Sequence, residues 1–409
     1  FNKKFPNQLY DTTQLTSKIG SHFGLWLGPR GGYGRPDLFA KKMEKRGLGA
    51  YNAEAKDICI ADKTYIKNVT DFILKSTQEF DIDYWKFDGF CLTPCKDANH
   101  NHPVGGEQDM YMITDMWQSW IEVFQKIRTL RKKFGKGLCY VNPSPWWLQY
   151  VNSIWLQNSG DIGFAENIQG QSKLDSEITY RDARYFNLLN TRAVQMPLKH
   201  IYNHEPIYGN HAKVQYTDEE FEKYIYFDVA RGQALNELHL SYTMMNKSKW
   251  RTLAKAIEWQ KNNYNVLQNA MFIGGNPEEN NVYGYFSWNE NGDGIIALRN
   301  PTDEKAPLTL TLNKLMGCPK DLKDVKRYNV YNLSNKESYD SYSYGDKIDL
   351  TLQPFEVKIF QFGKEDKRYP NGEAVTDFTI SFNYKGEENI EIAHNDDIDI
   401  SVVKGYVNV

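Results

Sequence analysis

Asp83-Tyr84-Trp85-Lys86-Phe87-Asp88-Gly89-Phe90 alternates large apolar and polar side chains. A period of two is that of a strand, so Trp85 and Phe87 share one face and Lys86 and Asp88 the other. Upstream, Lys63–Glu79 carries Tyr65, Val69, Phe72 and Ile73, joined by Phe80, at the spacing of one helical face. Downstream, Met110–Phe134 has a stripe of Trp117, Trp120, Ile121, Phe124, Ile127 and Leu130, closed by Arg131, Lys132, Lys133 and Gly135. A strand between two amphipathic helices predicts a parallel sheet with helical crossovers.

The same alternation extends to both sides. Further apolar runs predict strands at Phe23–Leu27, Ile58–Ala61, Leu138–Asn142, Ser153–Leu156, Leu198–Tyr202 and His239–Thr243, with more helices at Asp218–Ala234 and Lys249–Gln268. With Tyr84–Phe87 these strands fit an α/β fold, a (β/α)8 TIM-type barrel over residues 1–270 whose first strand is missing. The opening residues Phe1–Pro6 read as a cut inside a larger protein, so an upstream domain or chain is expected to complete the barrel. Residues 271–363 change pattern to short strands such as Val282–Trp288, Gly294–Arg299, Lys347–Leu352 and Glu356–Phe362. Asn291-Gly292 and Asp293-Gly294 between apolar runs signal a hairpin, and the segment predicts an antiparallel β-sandwich. Residues 364–409 read as a linker and the start of a further β module.

Composition narrows the function. A net charge of −3 argues against a nucleic-acid binder built on a basic surface. No apolar run reaches the ~18–20 residues of a membrane span. The 10 Trp, 27 Tyr and 21 Phe favour a carbohydrate partner, because aromatic faces stack on the C–H faces of sugars. Five cysteines give no disulfide framework. Cys91, Cys95, His100 and His102 fall in one loop after Asp88, but their spacing differs from the usual zinc patterns. They read as a pocket-shaping loop with two free thiols or one disulfide, and no metal or cofactor is expected.

In a barrel of this type, polar residues at C-terminal strand ends form the active site. Asp88 stands at such an end with Lys86 two residues back. From spacing alone it is either a held, ionised nucleophile or the cap of the turn into Gly89. Trp155-Leu156-Gln157-Asn158-Ser159-Gly160-Asp161 is a second strand running into a polar stretch. Its Asp161 reads as a proton donor or as an Asx-turn residue. A retaining glycosidase needs its two carboxyls ~5–5.5 Å apart. Asn142 ends another strand, and Trp146 after it reads as a sugar-stacking wall or a core residue. Arg181, in Tyr180-Arg181-Asp182 at a helix start, would bind a sugar hydroxyl, orient the acid or form a helix-surface ion pair.

Three stretches carry a more specific likeness: Lys3-Lys4-Phe5-Pro6-Asn7-Gln8-Leu9, Phe23-Gly24-Leu25-Trp26-Leu27-Gly28-Pro29 and Tyr84-Trp85-Lys86-Phe87-Asp88. Their order and spacing resemble the α-galactosidase clan of glycoside hydrolases, family 36 above all, with kinship to family 27. The resemblance implies a retaining α-galactosidase or α-N-acetylgalactosaminidase acting on α-linked glycans, with Asp88 as nucleophile. It also implies an acid/base aspartate at the end of a later strand. Asp161 is the best match, with Asp175 and Asp182 as alternatives. Lys86, Trp26 and Trp146 would position the sugar. Arg30 stands where family 36 often has a Pro-Glu pair, and is either a contact to an acidic or acetamido substituent or a surface arginine. A non-catalytic glycan binder, a transglycosylase and an endo-acting α-glycosidase are the other functions such a chain could serve. The module style suits a secreted or cell-surface bacterial protein.

Overall fold

Three parallel strands, Phe23–Leu27, Ile82–Phe87 and Tyr140–Asn142, lie side by side in that order. They belong to a computed structural model that describes residues 5–32, 34–91, 93–133, 140–142, 154–155, 165, 168–191, 197–202, 207–208, 215–331, 338–368, 378–381, 389–394 and 403–404. The chain divides into two units, Phe1–Trp155 and Leu156–Val409.

In the first unit the alternation of the central strand does what its sequence predicts. Trp85 and Phe87 are 0% and 2% exposed. The Trp85 indole donates to Thr77 Oγ1 at 2.9 Å, on the helix Lys63–Glu79. Phe87 packs on Trp120 and Phe124 of the helix Met110–Lys133. The first of these helices has no internal Gly or Pro and starts at Asp62, whose carboxylate accepts from the Tyr65 amide at 2.7 Å. Tyr65, Ile73 and Phe80 of the expected face are buried, but the buried face is wider and leaves Phe72 out. Phe72 is 53% exposed, whereas Ile66, Thr70, Ile73 and Thr77 are buried. The two threonine hydroxyls donate to the carbonyls of Ile66 and Ile73, each at 2.7 Å. With the hydroxyl satisfied one turn back, each threonine packs as a small β-branched apolar residue. The run Ile58–Ala61 is buried but is not a strand of the parallel sheet. Only Asp57–Ile58 pairs, antiparallel to Tyr51–Asn52. Apolarity there recorded burial, not a ladder. Two further helices of this unit are Tyr10–Lys18 and Pro36–Lys45.

The second unit holds the helices Lys173–Phe186, Asp218–Val229 and Lys247–Asn262. Thr217 and Glu220 form a reciprocal capping box at the start of the middle one. The short strands Ile207–Tyr208 and His239–Leu240 pair in parallel across this helix. An antiparallel sheet of six strands follows, in the order Met271–Gly274, Tyr283–Trp288, Gly294–Arg299, Val357–Gly363, Val325–Asn329, Ser338–Tyr342. Ala306–Thr311 and Lys347–Leu352 form a second, smaller sheet. In the large sheet, the strands Tyr283–Trp288, Gly294–Arg299 and Val357–Gly363 are buried on both faces. Tyr283, Tyr285, Ile295, Ala297, Val357 and Ile359 join the helices in one core. Phe286, Trp288, Ile296, Leu298, Phe360 and Phe362 join the small sheet in another. A strand with two buried faces reads as a continuous apolar run, as these do. Helices before residue 270 and strands after it thus share one core. Phe378–Ser381, Asn389–His394 and Val403–Lys404 form a further antiparallel sheet, each pairing with the next. No helix among the described residues is long and apolar enough to cross a membrane.

Candidate functional site

The register of the parallel sheet brings three of the expected site residues into one row. Trp26 is paired with Lys86, and Lys86 with Asn142. Paired positions on neighbouring strands share a face, the one opposite Trp85 and Phe87. The Lys86 ammonium sits over the Trp26 ring, 5.1 Å from its centroid. The indole is nevertheless 61% exposed, unusual for so large an apolar side chain. Asp88 follows directly. Its backbone N–H donates to the Leu27 carbonyl at 3.1 Å, which carries the pairing one residue past the strand. Gly89 then turns the chain with φ +73°, a conformation that favours glycine. The row thus offers a flat apolar face, a cation that can meet hydroxyl oxygens, and a carboxylate at the C-terminal edge of the sheet.

Other expected contacts fall elsewhere. Asp161 and Trp146 lie outside the described residues, and Asn142 is described only in its backbone. Arg30, with its side chain 29% exposed, is held by a partner within its own unit. Its guanidinium is ion-paired with Asp57, whose side chain is 0% exposed. Asp57 also accepts from the Ile58 amide at 2.8 Å. Arg30→Ala would leave that carboxylate buried without its cation. The expected cost is about 3 kcal/mol, at the lower end for a broken buried pair because the guanidinium is partly exposed. A urea titration of the purified variant measures it. A change within about 0.5 kcal/mol, as for a surface arginine, would contradict the assignment.

Arg181 and Asp182 are placed differently from expectation, and Asp175 shares their helix. Arg181 and Asp182 lie inside the helix Lys173–Phe186 and not at its start, Asp175 lies in its first turn, and each of the three is at most 4% exposed. Arg181, at 0%, is no helix-surface residue. Asp175 accepts from Lys223 Nζ at 2.7 Å and from Ser172 Oγ at 2.7 Å, with Arg299 at 3.5 Å. Burial pushes its carboxyl up, but Arg299 and Lys223 outweigh this and hold it below the usual carboxylate range. Asp182 accepts from the phenols of Tyr283 and Tyr285, each at 2.6 Å, and from Arg231 Nε at 2.9 Å. Burial pushes both phenols well up, so they stay protonated donors. Both carboxylates tie the helix to the sheet within the second unit.

The loop after Asp88 holds what spacing alone missed. Cys91 and Cys95 are both free thiols. Cys95, His100 and His102 meet Cys59, a residue from the far side of the preceding helix and strand. Cys59 Sγ lies 3.2 Å from His102 Nε2, and Cys95 Sγ 3.1 Å from His100 Nδ1. A hydrogen bond from the Cys59 thiol lowers Cys95 to about 4, with His102 adding to it, while Cys59 itself is pushed up.

No protein-family model and no curated protein sequence matches the chain. Solved structures do match it in fold. A family 36 α-galactosidase from Geobacillus stearothermophilus, solved in complex with raffinose, superposes with TM-score 0.58 at 11% identity, over 87% of this chain and 46% of that one. A putative α-N-acetylgalactosaminidase from Bacillus halodurans gives 0.55 at 10%, over 89% and 81%. An α-amylase from Anoxybacillus gives 0.50 at 10%, over 88% and 80%. The resemblance to the α-galactosidase clan is therefore met at the level of fold. The α-amylase shows that this fold is not tied to one sugar.

Proposed function

We propose that the protein is a retaining glycoside hydrolase that releases terminal α-linked galactose or N-acetylgalactosamine from glycans. The observation that carries this reading is the row of Trp26, Lys86 and Asn142 with Asp88 at its edge, in a chain with the fold of glycoside hydrolases. The reading takes the parallel strands as part of a (β/α)8 barrel, with the site at their C-terminal ends. Trp26 stacks on the C–H face of the sugar and Lys86 donates to its hydroxyls. Asp88 attacks the anomeric carbon and forms a glycosyl ester as the leaving oxygen departs. Asp161 donates the proton to that oxygen, then takes one from the water that cleaves the ester. Asp161 is preferred to Asp175 and Asp182 because those two are enclosed by their own partners. The chemistry needs no cofactor.

A panel of aryl α- and β-glycosides of galactose, N-acetylgalactosamine and glucose tests the reading. Turnover of an α-galacto substrate is expected, with retention seen by NMR of the first-formed sugar. Inverted product, or a folded chain inert on every aryl glycoside and on longer α-galacto glycans, would overturn it. Trp26→Ala is expected to raise KM about tenfold, with a smaller change in kcat, because stacking is made in ground and transition states alike. An unchanged KM would remove Trp26 from the sugar site.

A further inference from the structure

We propose that Cys59, Cys95, His100 and His102 bind one structural zinc ion. The four donor atoms lie within 4.8 Å of one another. Cys59, Cys95 and His102 are 1%, 2% and 8% exposed, and the His100 side chain 10%. Zinc bonds of ~2.3 Å to sulfur and ~2.0–2.1 Å to nitrogen set tetrahedral donors roughly 3.3–3.8 Å apart. The sulfur–nitrogen pairs at 3.1 and 3.2 Å are already close to that spacing.

Both imidazoles are turned for ligation by partners on their outer side. His102 Nδ1 donates to the Pro103 carbonyl at 3.0 Å, and a carbonyl can only accept. The proton is therefore on Nδ1, and the lone pair of Nε2 faces Cys59. His100 Nε2 lies 3.4 Å from the Asp97 carboxylate, which leaves the Nδ1 lone pair facing Cys95. A ligand histidine held through its other nitrogen by a carbonyl or carboxylate is the usual arrangement around zinc. The charges balance as well, since two thiolates and a dication sum to zero in a buried site. A Cys59–Cys95 disulfide would instead leave two enclosed imidazole lone pairs without a donor. Four protein ligands close the coordination sphere, so the ion would serve structure and not catalysis.

The placement says what the ion does. Cys59 lies just before Asp62, the cap of the helix Lys63–Glu79. The other ligands lie on the loop that leaves Asp88. The two segments already touch where Asn101 Oδ1 accepts from the Lys63 amide at 2.6 Å. Zinc would staple the loop after Asp88 to the start of that helix. The site stands independently of the proposed hydrolase activity.

Elemental analysis of the full chain, purified without chelator, tests the proposal. One zinc per chain is expected. Cobalt substitution should give the d–d and thiolate charge-transfer bands of a tetrahedral site with two thiolates. Cys59→Ser and His102→Ala should lose the metal, whereas Cys318→Ser, which alters a buried thiol of the other unit, should keep it. Asp97→Ala should weaken zinc binding roughly 10–100-fold by freeing the far side of His100. If the ligand variants fail to fold, the wild-type zinc content and cobalt spectrum still give the answer. A folded wild-type chain that stays metal-free in zinc, a Cys59–Cys95 disulfide found by mass spectrometry, or zinc retained in both ligand variants would overturn the site. None of these readouts depends on glycoside turnover.

Discussion

Asp88→Asn is expected to lower kcat on the α-galacto substrate by roughly 10⁶-fold, the scale of losing a catalytic nucleophile, while folding stability stays within about 0.5 kcal/mol. The amide keeps the shape of the carboxylate but lacks the charge that attacks the anomeric carbon. Strand pairing at this position runs through the Asp88 backbone N–H to Leu27, which the substitution leaves in place. Steady-state kinetics and a denaturant titration on the same preparation give both numbers. Azide adds a positive test. In Asp88→Gly it can enter the space of the missing carboxylate and displace the leaving group, giving a glycosyl azide of inverted configuration. Near-wild-type turnover in Asp88→Asn would remove Asp88 from the mechanism. Lost turnover together with lost stability would make Asp88 the turn cap before Gly89.

Asp182→Ala is expected to act the other way, on stability first. It removes the acceptor of two buried phenols and one of the carboxylates facing Arg231. Losing one side of a buried, hydrogen-bonded ion pair costs about 3–5 kcal/mol. Arg231 keeps Asp228 at 2.7 Å, which favours the lower end of that range. For a unit of this size the fall in Tm is roughly 6–20 °C. Differential scanning calorimetry reads it directly. A variant with wild-type Tm and no turnover would instead make Asp182 a catalytic residue, and the buried-network assignment would be wrong.

The contrast between these aspartates shows how far sequence reading reaches. The strand-end position of Asp88 was visible because its neighbours alternate and the turn follows at once. Asp182 was not, because its partners Tyr283 and Tyr285 lie 101 and 103 residues on. Nothing in Tyr180-Arg181-Asp182-Ala183 distinguishes a helix start from the buried middle of a helix. Arg30 shows the same limit, since Asp57 gives no local sign that it would meet a guanidinium. The helix Lys63–Glu79 was legible to its ends, and Tyr65 and Ile73 of its expected face are buried, but Phe72 is exposed while two threonines are not. Threonine hydroxyls satisfied within the helix can bury where polarity suggested exposure.

By itself the sequence determined the elements that short-range pattern dictates: the helix before Asp88, the alternating strand that ends there, the hairpins of the sandwich and the placing of Trp26 and Lys86 near strand ends. Periodicity of two or 3.6 residues and turn chemistry act within a few bonds, so they are written locally. Tertiary structure alone decided what distant charges and soft ligands do. It paired Arg30 with Asp57, enclosed Asp175 and Asp182, and brought Cys59 to Cys95, His100 and His102. Such encounters depend on which elements pack together, because an ion pair or a ligand cluster needs proximity in space and places no constraint on separation along the chain.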